Sequence, residues 1–147
     1  MRFWPGWLRL DFLPEHNAWR LRGRTLEAIA ALIAARGVVA LMPLEHWRGR
    51  FGMAGVAAPE ALAEARRLAA HARRAAGRLP VQTKCLPQAL ALSWMLRRRR
   101  IAHGLVIAVR PDTARSGQDD LHAWIELGST IVLGDLPGPW LPLFTLP

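Results

Sequence analysis

Thr83-Lys84-Cys85-Leu86-Pro87-Gln88-Ala89-Leu90-Ala91-Leu92 is the point where a polar, proline-containing loop, Gly77 to Lys84, runs into a strongly apolar segment that continues to Leu96. Pro87 suits the first turn of a helix, where its missing N–H is not needed, so a helix is expected to begin at or just after Cys85. The segment is apolar nearly all round, which predicts a centrally buried helix. Cys85 is the only cysteine in the 147 residues. The free N–H groups and positive dipole end of a helix N-terminus favour a thiolate over a thiol that ordinarily titrates near ~8.5, so a cysteine in this position can be a nucleophile. The plain alternative is a small hydrophobe packed beside a core helix.

Two strand-like runs follow. Leu121-His122-Ala123-Trp124-Ile125-Glu126-Leu127 and Thr130-Ile131-Val132-Leu133-Gly134-Asp135 flank Gly128-Ser129, a dipeptide that suits a two-residue type II′ turn. In that register Leu127 faces Thr130, Trp124 faces Leu133 and His122 faces Asp135. Directly opposed residues share a sheet face, so the Asp135 carboxylate could accept the imidazole N–H. A longer turn would make Asp135 a diagonal partner, and a one-residue slip would send it to the opposite face. Asp120 shares a strand face with His122 if the strand starts early, which makes it the fallback orienting acid, while Asp119 reads as a loop group. Trp124 lies on the same face as His122 and could wall a cleft or simply belong to the core.

The chain reads as helices first and strands last. Residues 1–24 are rich in Trp, Pro and Arg without a sustained period, an arm expected to pack Trp4, Trp7 and Trp19. Thr25 can cap a helix running to about Leu41, with Gly37 a weak point. Pro59 opens another, Glu60 to Ala76, with Leu62, Ala65, Leu68, Ala69, Ala72 and Ala76 on one stripe, a Glu64/Arg67 pair on its outer face, and Gly77 as the stop. Leu105 to Val109 reads as a buried strand, and Leu136 to Pro142 is too rich in Pro and Gly for regular structure. The expectation is one α+β domain over residues 1–147: a helical part at 1–80, a catalytic core at 81–137 and a Pro-rich tail at 138–147.

Twenty Lys and Arg against eleven Asp and Glu give a net charge of +9. Such a balance attracts polyanions or acidic peptides. The cations, however, are spread through every segment and are not interleaved with aromatics as on a base-stacking surface, so no nucleic-acid partner is expected. The largest cluster, Arg97 to Arg100, falls at the end of the Cys85 helix, where cations complement the dipole. One cysteine cannot form an internal bridge, which fits a cytoplasmic protein. The N-terminus lacks the apolar region of a signal peptide, and the most apolar window, Leu26 to Leu44, is broken by Glu27, Arg36 and Gly37, so no membrane span is expected. His16, His46, His71 and His103 show no ligand-like spacing and read as surface or helix-end residues; no metal or cofactor is expected.

Cys85-Leu86-Pro87-Gln88-Ala89-Leu90-Ala91-Leu92, Leu96-Arg97-Arg98-Arg99-Arg100-Ile101, Leu105-Val106-Ile107-Ala108-Val109-Arg110, His122-Ala123-Trp124-Ile125-Glu126 and Gly134-Asp135 together resemble the lasso-peptide B-protein family. These are transglutaminase-like cysteine proteases that remove the leader from lasso-peptide precursors. The likeness covers about residues 83–137, and a weaker one reaches back over Leu26 to Gly52. It implies a papain/transglutaminase-like core with Cys85 as nucleophile, His122 as base and Asp135 as orienting acid, an order shared with other cysteine sites of this type. Where the resembled pattern has a glycine before the second strand, this chain has Arg100-Ile101-Ala102-His103-Gly104, which leaves the geometry of that turn open.

The backbone N–H of Cys85 and the side chain of Gln82, three residues upstream, are candidate oxyanion donors. The resemblance implies a lasso precursor peptide as substrate and a separate ATP-dependent macrolactam synthetase that closes the ring. Family members occur fused to a leader-binding domain or split from it. The residues before Cys85 show no run of alternating strands, so a separate leader-binding partner is expected. Two other readings use the same residues differently: an acyltransferase in which an amine captures the acyl-enzyme, and a non-enzymatic basic amphipathic binding protein.

Overall fold

The computed structural model describes residues 15–112 and 120–147, with side chains from residue 20 onward. Trp4, Trp7, the Trp19 side chain and Asp119 lie outside the described residues. Among these residues four α-helices, α1 (Glu15–Leu41), α2 (Leu44–Trp47), α3 (Ala61–Arg78) and α4 (Cys85–Arg98), precede four strands, β1 (Gly104–Val109), β2 (Leu121–Leu127), β3 (Thr130–Leu133) and β4 (Leu141–Leu146). The strands form one antiparallel sheet in the order β3-β2-β1-β4. This is the expected α+β arrangement.

The central helix is α4. Leu90, Leu92, Met95 and Leu96 are sealed from solvent, as are Ala89 and Ala91, because the helix is enclosed by α1, α3 and the face of β1 and β2. Its first helical residue is Cys85. It ends in a Schellman motif, with the Arg100 N–H donating to the Arg97 carbonyl and the Ile101 N–H to the Leu96 carbonyl. Arg100 takes the left-handed conformation of that motif at φ 55°, a position where glycine is favoured. The turn left open by the sequence is therefore a helix stop.

Two boundaries differ from expectation. Residues 15–24 are helical, because Leu, Arg and Ala are good helix formers and adding residues to an existing helix is far easier than nucleating one. Thr25 is then interior: its hydroxyl donates to the Leu21 carbonyl at 3.1 Å and meets Nδ1 of buried His71 at 2.9 Å. The helix ends at Leu41 as expected, running through the weak point at Gly37, where packing against α4 outweighs a glycine cost of about 1 kcal/mol. The second boundary is the end of α3, which passes Gly77 to Arg78; Pro80 ends it, forcing Leu79 into an extended conformation at ψ 140°.

The tail, expected to be irregular, contains a strand. Leu141-Pro142-Leu143-Phe144-Thr145-Leu146 forms β4, paired with β1 at the edge of the described sheet. Pro142 is tolerated because an edge strand need not donate every N–H, and the register shifts beside it so that Ile107 opposes Phe144 while Ala108 opposes Pro142.

The Arg97–Arg100 run does more than complement the helix dipole. Arg99 clamps Glu27 of α1 bidentately, at 3.0 and 2.7 Å, and its Nη1 also donates to the Met95 carbonyl at 2.9 Å. This hydrogen-bonded guanidinium holds the Glu27 carboxyl below its usual range, against the opposing effect of burial. Glu64 of α3 joins the network through Arg24 at 3.0 Å and the expected Arg67 at 3.3 Å. Arg97 donates to the Gly52 carbonyl. Among the described residues no helix is long and apolar enough to cross a membrane.

Candidate active site

The start of α4 lies against the start of β2. Cys85, half-buried, directs its thiol at the Leu121 carbonyl at 3.9 Å, and Leu121 is the neighbour of His122. The main-chain groups of Cys85 stand at the end of the helix, where the first N–H groups have no carbonyl within the helix to bond.

His122 is 8% exposed. Its Nε2 lies 2.6 Å from the Gly134 carbonyl, a contact that makes Nε2–H the donor because a carbonyl can only accept. In the neutral ring that leaves Nδ1 as the acceptor, and no hydrogen bond to Nδ1 exists among the described residues.

The hairpin follows its expected register only at the turn. Gly128 has φ 58°, as a primed two-residue turn requires, and Leu127 faces Thr130. One step beyond, Glu126 opposes Ile131, but Ile125 then opposes Leu133, so Val132 is an extra residue. The expected pairing of Trp124 with Leu133, and with it the direct opposition of His122 and Asp135, is overturned by this bulge. The cause is apolar: Val132 and Leu133 are consecutive and both buried, which a strictly alternating strand cannot achieve.

Beyond the bulge β3 ends, and Gly134 turns the chain at φ 87° close against β2. A Cβ there would stand 2.7 Å from the Ala123 carbonyl, so glycine is required both by conformation and by space. That close approach delivers the Gly134 carbonyl to His122. Asp135 follows on the exposed side, and no hydrogen bond or ion pair of its carboxylate exists among the described residues. The acceptor on the imidazole is thus the backbone immediately before the expected acid.

Gln82 lies exposed on the loop before α4, and its backbone carbonyl accepts from Arg36 at 3.4 Å. Gln88 fastens that loop to the helix by donating to the Thr83 carbonyl at 2.8 Å. Asp120 precedes β2, where its carbonyl accepts the Arg110 N–H at 2.8 Å. Trp124 sits 6.0 Å from His122, ring centre to ring centre. Trp140 is closer, at 4.9 Å, and escaped the sequence reading because its segment looked irregular. No local signal marked it: Trp140 is delivered beside Arg110 and the end of β1 only once Leu141 pairs with Val109.

His71 and His103 are buried rather than superficial, at 3% and 4% exposure. His103 is fully engaged, with Nε2 2.7 Å from the Ser93 hydroxyl and Nδ1 2.8 Å from the Ile101 carbonyl. Burial pushes the titration of both below the ordinary histidine value, with Arg74 and Arg24 adding to the effect at His71 and Arg97 at His103. No group of three or more His, Cys, Asp or Glu that could hold a metal ion exists among the described residues.

A thiol at a helix N-terminus, directed at the strand that carries a histidine with one nitrogen tied and the other without a bond among the described residues, is an arrangement suited to nucleophilic acyl transfer. No curated protein and no solved structure matches the chain. Residues 25–143, which run from within α1 into the start of β4 and include Cys85, His122 and Asp135, match the transglutaminase-like superfamily, whose members are generally cysteine peptidases and acyltransferases. The chain belongs to the transglutaminase-like superfamily.

Proposed function

We propose that this protein is a cysteine peptidase that removes the leader from a lasso-peptide precursor. The observation that carries the proposal is the approach of the Cys85 thiol, at the first turn of α4, to the carbonyl of the residue next to His122, together with the bond from Nε2 to Gly134 that leaves Nδ1 without a partner among the described residues. In the reaction Nδ1 accepts the proton of Cys85 and the sulfur attacks a peptide carbonyl. The C–N bond breaks as the imidazolium returns the proton to the leaving amine. Water then attacks the thioester, giving up a proton through His122, and releases the leader carboxylate and the thiol. The Cys85 N–H and the Gln82 amide are assigned to the developing oxyanion, and Asp135 to the cationic imidazole.

The sequence likeness to lasso-peptide B proteins supports the substrate, and a family in which the leader-binding domain can be a separate protein supports a separate leader-binding partner. A macrolactam synthetase would act on the released core. Superfamily membership also supports a second reading, capture of the acyl-enzyme by an amine instead of water. The test is incubation of the chain with a leader-bearing precursor, with and without a leader-binding protein, and intact-mass analysis. The proposal expects the free leader acid, formed much faster with the partner present. An amide-linked adduct supports acyl transfer instead, and efficient cleavage without the partner removes the split arrangement.

A further inference from the structure

Arg110 and Trp140 have no part in the reaction just described, yet they stack against its base. The Trp140 ring lies 4.9 Å from the His122 ring, tilted by 32°. The Arg110 guanidinium lies over the same indole, 4.5 Å from its centre. The indole N–H donates to the Leu136 carbonyl at 3.1 Å, closing the turn that carries Gly134 and Asp135 onward to β4. The three rings and planes come from three places in the chain: Arg110 from the end of β1, His122 from β2 and Trp140 from the approach to β4. Nothing in local sequence keeps them together.

We propose that Trp140, held by Arg110, is a positioning residue that covers the bond from His122 Nε2–H to the Gly134 carbonyl and fixes the plane of the imidazole. Histidine χ2 is a soft torsion with broad wells, so one 2.6 Å bond restrains the ring's direction but not its exchange with water. A half-buried indole on the ring face restricts both. It keeps water from competing for the Gly134 carbonyl, which strengthens the bond in the drier surroundings. The cation against the indole adds an attraction that holds the cover in place. The turn from Gly134 to Trp140 then supplies both the acceptor for Nε2 and the lid over it, so one short segment sets the tautomer that leaves Nδ1 free. The catalytic consequence rests on His122 being the base for Cys85; the placement of the ring does not.

Two readouts separate those claims. Proton NMR of the folded chain should show a downfield, slowly exchanging imidazole N–H, assigned by its loss in His122→Gln. It should survive in Trp140→Phe and vanish into solvent exchange in Trp140→Ala. Trp140→Leu, which keeps apolar bulk without the aromatic face, serves if the alanine variant does not fold, and should lose the signal too. Iodoacetamide alkylation of Cys85 at pH 6 should fall about 3- to 10-fold in Trp140→Ala or Trp140→Leu, the scale of one hydrogen bond, and stay near wild type in Trp140→Phe. A signal absent from the wild type, or equally protected without the aromatic ring, overturns the positioning role. Wild-type Cys85 alkylating no faster than a free thiol sinks the proposed function instead, and leaves the cover over His122 to be judged by NMR alone.

Discussion

His103 and His122 are both buried beside the same sheet, and they differ in how many ring nitrogens are occupied. His103 has both nitrogens engaged, by Ser93 and Ile101, within a chain in which the Gly52 N–H also donates to Ser93 at 2.8 Å. His122 has one nitrogen held by Gly134 and the other without a bond among the described residues. A saturated histidine in a dry setting can only hold structure together; a half-saturated one, on the strand that the Cys85 thiol approaches, has a nitrogen with which to move a proton. The comparison assigns the two residues opposite phenotypes, and each can be broken separately.

The largest expected effect is that of His122→Ala on precursor cleavage, a fall of about 10²- to 10⁴-fold, the range for removal of a general acid–base. Turnover close to wild type, measured on the purified variant, would remove His122 from the mechanism. At His103 the expected loss is in stability. Ser93→Ala strands the Gly52 N–H and one nitrogen of His103, at a cost of about 1–3 kcal/mol in urea unfolding. Cys85 alkylation per folded molecule should not change; a parallel loss of reactivity would show that the two histidines are not functionally separate.

Gly134→Ala tests the connection between fold and site. At φ 87° with no room for a Cβ, it should destabilise the chain by about 1–3 kcal/mol and slow Cys85 alkylation as the carbonyl leaves His122. An alanine variant with normal stability and normal reactivity would contradict the account of the turn. Asp135→Asn sharpens the same point. A triad carboxylate in a serine enzyme is worth about 10⁴-fold. With Gly134 already on Nε2 and Asp135 exposed, the expected loss of cleavage is nearer 10-fold, with Asp120→Asn close to silent. A large loss in Asp120→Asn with full activity in Asp135→Asn would move the orienting acid to the loop before β2.

The smallest effect is on pH. The neutral forms of His71 and His103 are favoured by folding, so the unfolded chain binds more protons than the native one as the solution becomes acidic. Their contribution to stability is fully present above about 6.5, the ordinary histidine value, and is lost as pH falls from there through their lowered native values. Urea midpoints compared between pH 7.5 and pH 5 should show the decline, and His103→Gln should flatten it. An unchanged slope in His103→Gln would mean that its burial contributes nothing to acid lability.

The helical start at Cys85 was legible because Pro87 and an apolar run leave little choice of phase, and the hairpin turn because Gly128-Ser129 specifies it. The register beyond the turn was not. A turn fixes the first pairs of a hairpin, but the bulge depends on Val132 and Leu133 both finding space in the core beneath α3, a tertiary fact. The same limit hid Trp140. Three prolines in its segment argued locally against a strand, and β4 forms because an edge position beside β1 tolerates Pro142. The buried histidines were misread for the opposite reason: His71 and His103 carry no local sign that Thr25 and Ser93 will satisfy them from other elements.

The rate of iodoacetamide alkylation of Cys85 from pH 5 to 9, followed by intact mass in wild type, His122→Ala and His103→Gln, tests the division between the two histidines most directly. The wild type should react faster than a model peptide thiol at pH 6–7, where such a thiol is almost wholly protonated. That advantage should disappear in His122→Ala and persist in folded His103→Gln. A wild-type profile that follows the model thiol at every pH, or one unchanged by His122→Ala, would contradict the claim that His122 serves Cys85.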